Sequence, residues 1–178
     1  IDEKKSSSNR RVMIFSSFRH TLSYLENSLK RRNVRVAVIH GGVADNERRS
    51  FSRRFSLSRD SDDALDVLLF SEVGSEGLDY QFCDCMVNYD LPWNPMRIEQ
   101  RIGRIDRRGQ KSDKVLIYNL ITPDTVDADI YERCLSRIGI FNRELGASEE
   151  ILGELARDIQ RIGEDFKLTE GQRAEKLL

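Results

Sequence analysis

The residues best suited to chemistry in this chain are arginines set close together between positions 97 and 111. Arg104 and Arg107 lie three residues apart, and Gln100 precedes Arg104 by four, so a helix would put all three on one side. Gly103 removes a side chain there and would let a ligand approach the backbone. Two guanidiniums aimed at one point could stabilise the charge that develops in phosphoryl transfer. On these grounds alone, a surface helix with ion pairs to nearby acids remains the alternative.

The net charge of the chain conceals two basic stretches. The 178 residues include 29 Lys and Arg against 30 Asp and Glu, and this balance by itself argues against a protein that grips nucleic acid. Residues 97–111 and 19–35 nevertheless each sum to +4, while residues 144–178 sum to −4. Electrostatic fields act over about 8–10 Å at physiological salt, so the local sums matter more than the total.

The composition bounds the class of protein. With 39% hydrophobic and 33% charged residues, the chain is typical of one ordinary globular domain and not of a disordered segment. No apolar run is long enough to span a membrane, and residues 1–5 are not typical of a signal peptide, so we expect neither a membrane span nor a signal peptide. Three cysteines without a framework spacing favour a reducing compartment. They and the two histidines do not suit a zinc site, so we predict no metal ligands.

The elements that must position these arginines follow from the apolar pattern. Strands are predicted at residues 12–15, 34–39, 65–70, 85–89 and 115–121. Helices are predicted after Ser16-Ser17 and after Asp45, which are candidate N-caps, and from Pro95. This alternation predicts an α/β fold, a parallel sheet with helices on both faces and with the loops after the strands along one edge. A polar linker remnant is expected at residues 1–10, the α/β domain at 11–140 and a helical C-terminal extension at 141–178.

Several segments resemble the motifs of superfamily-two helicases, in order and spacing. Residues 100–110, Gln-Arg-Ile-Gly-Arg-Ile-Asp-Arg-Arg-Gly-Gln, resemble motif VI in the Swi/Snf-type form that ends Arg-x-Gly-Gln. Residues 12–18 resemble motif IV, and residues 69–79 resemble motif V. Between them, His40-Gly-Gly and Arg48 resemble the loop and the helix that follow motif IV. The resemblance implies the RecA-like C-terminal lobe of an ATP-driven translocase on double-stranded DNA.

The resemblance also implies a role for individual residues. Arg104 and Arg107 match the positions that reach the ATP phosphates from this lobe, and Gln100 matches the residue that organises them. Gly77 and Asp79 fall where motif V approaches the nucleotide, and an Asp there suits a ribose hydroxyl. The positions that match nucleic-acid contacts are Gly41, Gly42, Arg48, Ser71 and Trp93.

Motif V departs from the common form. It reads Ser71-Glu72-Val-Gly-Ser-Glu76, where eukaryotic remodellers carry Thr-Arg-Ala-Gly-Gly, so two acids stand in a loop expected to face DNA. This form is closer to the bacterial RNA-polymerase-associated ATPase. Asp79 likewise stands where many remodellers have Asn, and a core role is the alternative for Trp93.

No Gly-x-x-x-x-Gly-Lys-Ser/Thr phosphate loop occurs in the sequence. The resemblance therefore implies that ATP and its Mg are held by an N-terminal RecA-like lobe of the same protein, and the chain alone is expected to be inactive. Asp90 is assigned a structural role. The other expected partners are double-stranded DNA and RNA polymerase or another protein complex, in the bacterial cytoplasm at the nucleoid and not at a membrane. Two alternatives stay open, a non-catalytic DNA- or protein-docking module and a lobe of a strand-separating helicase.

Overall fold

The structure, a computed structural model, describes residues 9–72, 79–92 and 95–123, together with positions 4, 7, 125, 169 and 172. The chain divides into two compact units. One comprises Ile1–Asp90 with Arg101–Leu120, and the other Leu91–Gln100 with Ile121–Leu178. The whole described sheet belongs to the first unit.

The described residues contain five strands and three helices, which alternate except at β3 and β4. They are β1 (Val12–Phe15), α1 (Arg19–Lys30), β2 (Val36–Ile39), α2 (Asp45–Ser56), β3 (Val67–Phe70), β4 (Cys85–Asn88), α3 (Pro95–Ile102) and β5 (Leu116–Asn119). The strands form one parallel sheet in the order β2-β3-β1-β4-β5, which confirms the predicted architecture. Most strands are shorter than their apolar runs, because residues such as Val34 and Leu65 are buried in the core outside the paired ladder.

The core lies on both faces of the sheet. Alternate residues of β1 enter different clusters, with Met13 and Phe15 in one and Val12 and Ile14 in the other. Phe55 of α2 joins the first cluster, whereas Leu22 of α1 joins the second. Burial on both faces explains why the strands read as continuous apolar runs and not as alternating patterns.

Both predicted side-chain caps are wrong. The N-cap of α1 is Phe18, which makes no side-chain capping bond, because the hydroxyl of Ser16 donates to the carboxylate of Asp90 instead. The N-cap of α2 is Ala44, and Asp45 is the first residue of that helix. The charge of Asp45 therefore acts on the positive end of the helix dipole from within the first turn. Helix α3 begins at Pro95, as predicted.

Part of the predicted linker contacts the sheet unit. The ammonium of Lys4 pairs with Asp84 at 2.8 Å, and the side-chain amide of Asn9 donates to the Phe82 carbonyl at 2.9 Å. Of the predicted extension at 141–178, only positions 169 and 172 fall within the described residues. None of the helices in the described part of the chain is long and apolar enough to cross a membrane.

Candidate nucleotide and nucleic-acid site

Arg104 and Arg107 do not lie on a helix, so the helical spacing predicted for them is wrong. Helix α3 ends at Ile102, and both arginines follow in tight turns. The amide of Ile105 donates to the Ile102 carbonyl at 2.9 Å, and the Ile105 side chain is fully buried in the core. The turn that ends the helix therefore carries a core residue between the two arginines. Gln100 is exposed on α3 itself.

The turns after α3 are joined to the end of the loop that follows β3. The amide of Tyr80 donates to the carbonyl of Arg104 at 3.0 Å. The guanidinium of Arg107 forms an ion pair with the carboxylate of Asp79, and each side chain is 44% exposed. Asp79, Arg104 and Arg107, which come from two separate motifs, are therefore brought together in the fold.

Gln110 closes this segment. Its side-chain amide donates to the carbonyls of Cys83 at 2.9 Å and Ile105 at 2.8 Å, and its oxygen accepts the amide of Ser112 at 3.0 Å. The preceding Gly109 has a φ of +99°, a conformation that glycine adopts without strain. Gly109 and Gln110, which end motif VI, therefore have a structural role. In the sequence, only the residue types of this pair point to such a role.

Arg101 is a buried charge that nothing in the sequence distinguished from its neighbours. Its guanidinium donates to the side chain of Asn88 at 2.8 Å and to the carbonyl of Asp90 at 3.2 Å, and it forms an ion pair with Glu72. It also lies over the ring of Phe15, 5.1 Å from the centroid. The side chain of Arg101 is only 4% exposed, whereas Arg104 is half-buried. Removing the Glu72 carboxylate would leave the buried charge of Arg101 uncompensated and would lower the free energy of unfolding by about 3–5 kcal/mol.

The loop after β2 contains the predicted nucleic-acid residues Gly41 and Gly42 and is held by Arg48. The Arg48 guanidinium donates to the carbonyls of Val43 at 2.9 Å, His40 at 3.2 Å and Gly41 at 3.4 Å. Arg48 is half-buried, and its hydrogen bonds give it a role in shaping the loop.

His40 also shapes this loop. Its Nδ1 accepts the amide of Gly42 at 3.0 Å and lies 3.2 Å from a guanidinium nitrogen of the exposed Arg19. Both neighbours are donors, so Nδ1 is an acceptor in this arrangement. A Cβ atom on Gly42 would lie 3.1 Å from the His40 ring, which explains why a glycine suits this position.

The remaining loops at the carboxyl ends of the strands are held by similar bonds. The carboxylate of Asp90 accepts the hydroxyl of Ser16 and the amide of Ser17, which is the structural role assigned to it. The amide of Ser71 donates to the carbonyl of Ile39 at 3.0 Å, so the loops after β2 and β3 are adjacent. Of the predicted site residues, Gly77 and Trp93 lie outside the described part of the chain.

Cys83 is a fully buried thiol. Burial raises the pKa of the Cys83 thiol to about 12, so the thiol stays protonated at neutral pH. Within the described residues, no three His, Cys, Asp or Glu side chains are grouped so as to hold a metal ion.

The five-stranded parallel sheet with helices on both faces defines a RecA-like fold. The fold matches the crystal structure of the C-terminal part of the Fun30 ATPase domain with a TM-score of 0.61 and 26% identity. The match covers 68% of this chain and 38% of that one. The helicase conserved C-terminal domain matches residues 1–109, and the chain belongs to this family. The predicted resemblance is thereby confirmed.

Two curated bacterial proteins match more than half of this chain. The chain is 38% identical over 145 residues to the uncharacterised ATP-dependent helicase YqhH of Bacillus subtilis, covering 82% of this chain and 25% of that protein. It is 41% identical over 110 residues to the RNA polymerase-associated protein RapA of Photobacterium profundum, covering 61% of this chain and 11% of RapA. The chain therefore spans a quarter or less of the length of these relatives.

Proposed function

We propose that this chain is the second motor lobe of an ATP-dependent translocase on double-stranded DNA, and that Arg104 and Arg107 contact the phosphates of ATP bound between two lobes. The observation that carries the proposal is the joining of motif V to motif VI, through the Tyr80–Arg104 hydrogen bond and the Asp79–Arg107 ion pair. These contacts pair the Arg107 guanidinium with the Asp79 carboxylate and hold the backbone of Arg104 next to Tyr80. We assign the lobe to residues 11–140 and a helical extension to 141–178.

The residue types present indicate which part of ATP binding and hydrolysis each of the two lobes would perform. The chain has arginines but no phosphate loop, so ATP and Mg would be bound by an N-terminal lobe of the same protein. Arg104 and Arg107 would supply positive charge to the developing phosphate charge, and Gln100 would orient them. Asp79 and Gly77 would lie at the ribose.

The nucleic-acid surface would be formed by the loops after β2 and β3. Gly41, Gly42 and Ser71 lie on these adjacent loops, and Arg48 holds the first of them in shape. We include Trp93 in this surface. Small residues and backbone groups suit contacts to phosphates, which position a protein on DNA without reading its sequence. That property fits an enzyme that must step along any sequence.

RNA polymerase or another protein complex is the further partner that we propose, because the RapA relatives are named as RNA polymerase-associated. An enzyme of this kind would act in the bacterial cytoplasm, at the nucleoid.

Alanine substitutions in the full-length protein test the role of the arginines. Arg104→Ala and Arg107→Ala should each lower DNA-stimulated ATP turnover by about 10³-fold, with DNA binding near the wild-type level. Arg108→Ala is the matched control, because it removes an exposed arginine from the same segment and should leave turnover unchanged. The chain expressed alone should hydrolyse no ATP. Unchanged turnover in both alanine variants would contradict the proposed phosphate contacts.

A strand-separating helicase is the second candidate, favoured by the name of the YqhH relative. A translocase displaces the third strand of a triplex without opening the duplex, whereas a helicase opens the duplex. Testing both substrates with the full-length protein separates the two. A full-length wild-type protein that binds DNA without any ATP turnover would instead indicate a docking module.

A further inference from the structure

The ion pair between Glu72 and Arg101 links two parts of the proposed site. Glu72 directly follows Ser71, in the loop after β3 that we assign to nucleic acid. Arg101 lies 29 residues further along the chain, near the end of α3, and its carbonyl accepts the amide of Arg104 at 3.1 Å. One ion pair and one short turn therefore connect the loop after β3 to a proposed phosphate-contacting arginine.

The surroundings of Arg101 make this link stiff. Its other hydrogen-bond partners, Asn88 and the carbonyl of Asp90, belong to the end of β4 and the turn after it, while the Phe15 ring covers its face. Asn88 is itself held by a 2.7 Å hydrogen bond to Asn119 of β5. The Arg101 guanidinium is thus held by residues at the end of β4, while its carboxylate partner, Glu72, belongs to the loop after β3.

The buried charge also explains the acid in motif V. A guanidinium that is 4% exposed needs a countercharge within reach, and Glu72 supplies a carboxylate to it. The first of the two acids expected to face DNA is therefore turned toward Arg101, with its own side chain 23% exposed. A displacement of the loop after β3 would move this carboxylate and change the position of Arg101.

We propose that Glu72 is a positioning residue that acts through Arg101, and that it transmits DNA contact at the loop after β3 to the segment that bears Arg104. The proposal rests on the proposed function and adds to it the pair of side chains through which DNA stimulates ATP turnover. Because Arg101 is buried and Glu72 supplies its countercharge, DNA-induced movement of one partner must be followed by the other or break the pair.

The test is the stimulation ratio of the full-length protein, defined as ATP turnover with saturating double-stranded DNA divided by turnover without DNA. Glu72→Gln keeps the shape of the side chain and removes its charge, and it should lower this ratio about fivefold or more, the scale of common coupling free energies. Glu26→Gln is the matched control, because it removes a carboxylate from the ion pair with Lys30 on α1 and should leave the ratio unchanged. A purely structural defect lowers both turnover rates together and leaves the ratio at its wild-type value, which would overturn the proposal.

A double-mutant cycle shows whether Glu72 acts through Arg101. Adding Glu72→Gln to Arg101→Gln should cause no further fall in the ratio, whereas two independent fivefold effects would overturn the proposed route. If Glu72→Gln is unfolded at the assay temperature, Glu72→Asp, which keeps the charge on a shorter side chain, should give an intermediate ratio. A wild-type ratio for Glu72→Asp would then count against the proposal.

The failure of this inference can be distinguished from the failure of the proposed function. Arg104→Ala tests the phosphate contact by turnover itself and does not depend on the stimulation ratio. If Arg104→Ala is inactive while Glu72→Gln keeps the wild-type stimulation ratio, this inference is rejected and the proposed function stands.

Discussion

Neutralising Asp79 tests whether Arg107 exchanges one anion for another when ATP binds. In the structure the Arg107 guanidinium is paired with the Asp79 carboxylate, whereas the proposed function requires it to contact phosphate. The two anions would then compete for the same cation. Asp79→Asn in the full-length protein removes one competitor and nearly preserves the side-chain shape.

The size of the effect follows from the exposure of the pair. Both side chains are 44% exposed, and ion pairs of this kind contribute about 0.2–1 kcal/mol. Removing that competition should release Arg107 by a factor of about 1.4 to 5, since a factor of ten corresponds to about 1.4 kcal/mol. The value of kcat/KM for ATP should rise by this factor at low ionic strength. The gain should shrink at high salt, because salt screens exposed charges.

The assay is steady-state ATP hydrolysis at subsaturating ATP, for the wild type and two variants. Asp106→Asn is the control, because it removes an exposed negative charge from the same segment and leaves the Asp79–Arg107 pair intact. It should leave kcat/KM near the wild-type value. The ribose contact that we also propose for Asp79 would act in the opposite direction, because Asp79→Asn would then lower kcat/KM. A loss of any size would refute the reasoning that restraint of Arg107 is the dominant effect of Asp79.

Two further predictions concern stability. Burial opposes the charged form of Asp66, but hydrogen bonds and charge from Arg35 outweigh it, so the pKa of Asp66 lies below its ordinary value. This stabilisation is complete above the unfolded-state pKa of about 3.9 and is lost as the pH falls below it, so denaturant unfolding should show a steeper loss of stability below about pH 4 in the wild type than in Asp66→Asn. Gly109→Ala puts a side chain at a φ of +99° and should lower the free energy of unfolding by about 1–2 kcal/mol, and an unchanged urea midpoint would contradict this.

Local patterns in the sequence were sufficient to predict the sheet. The apolar runs that became β1 to β5 are short and bounded by turn residues, and the helices between them carry apolar residues at helical spacing. Their alternation leaves a parallel sheet as the simplest arrangement. The helix caps were predicted wrongly for a specific reason. Ser16 has a choice of partners, and the carboxylate of Asp90, distant in sequence, takes its hydroxyl in the fold.

The sequence by itself determined the family and the order of the motifs, because these depend on residue types at short spacing. Only the tertiary structure decided how the arginines are used. The helix ends at Ile102, before Arg104, and the fold brings Asp79 to Arg107 and Glu72 to Arg101. These ion pairs join loops that lie far apart in sequence and meet only once parallel strands align their carboxyl ends. These long-range contacts decide which arginine is buried and which is exposed, and no local sequence pattern encodes them.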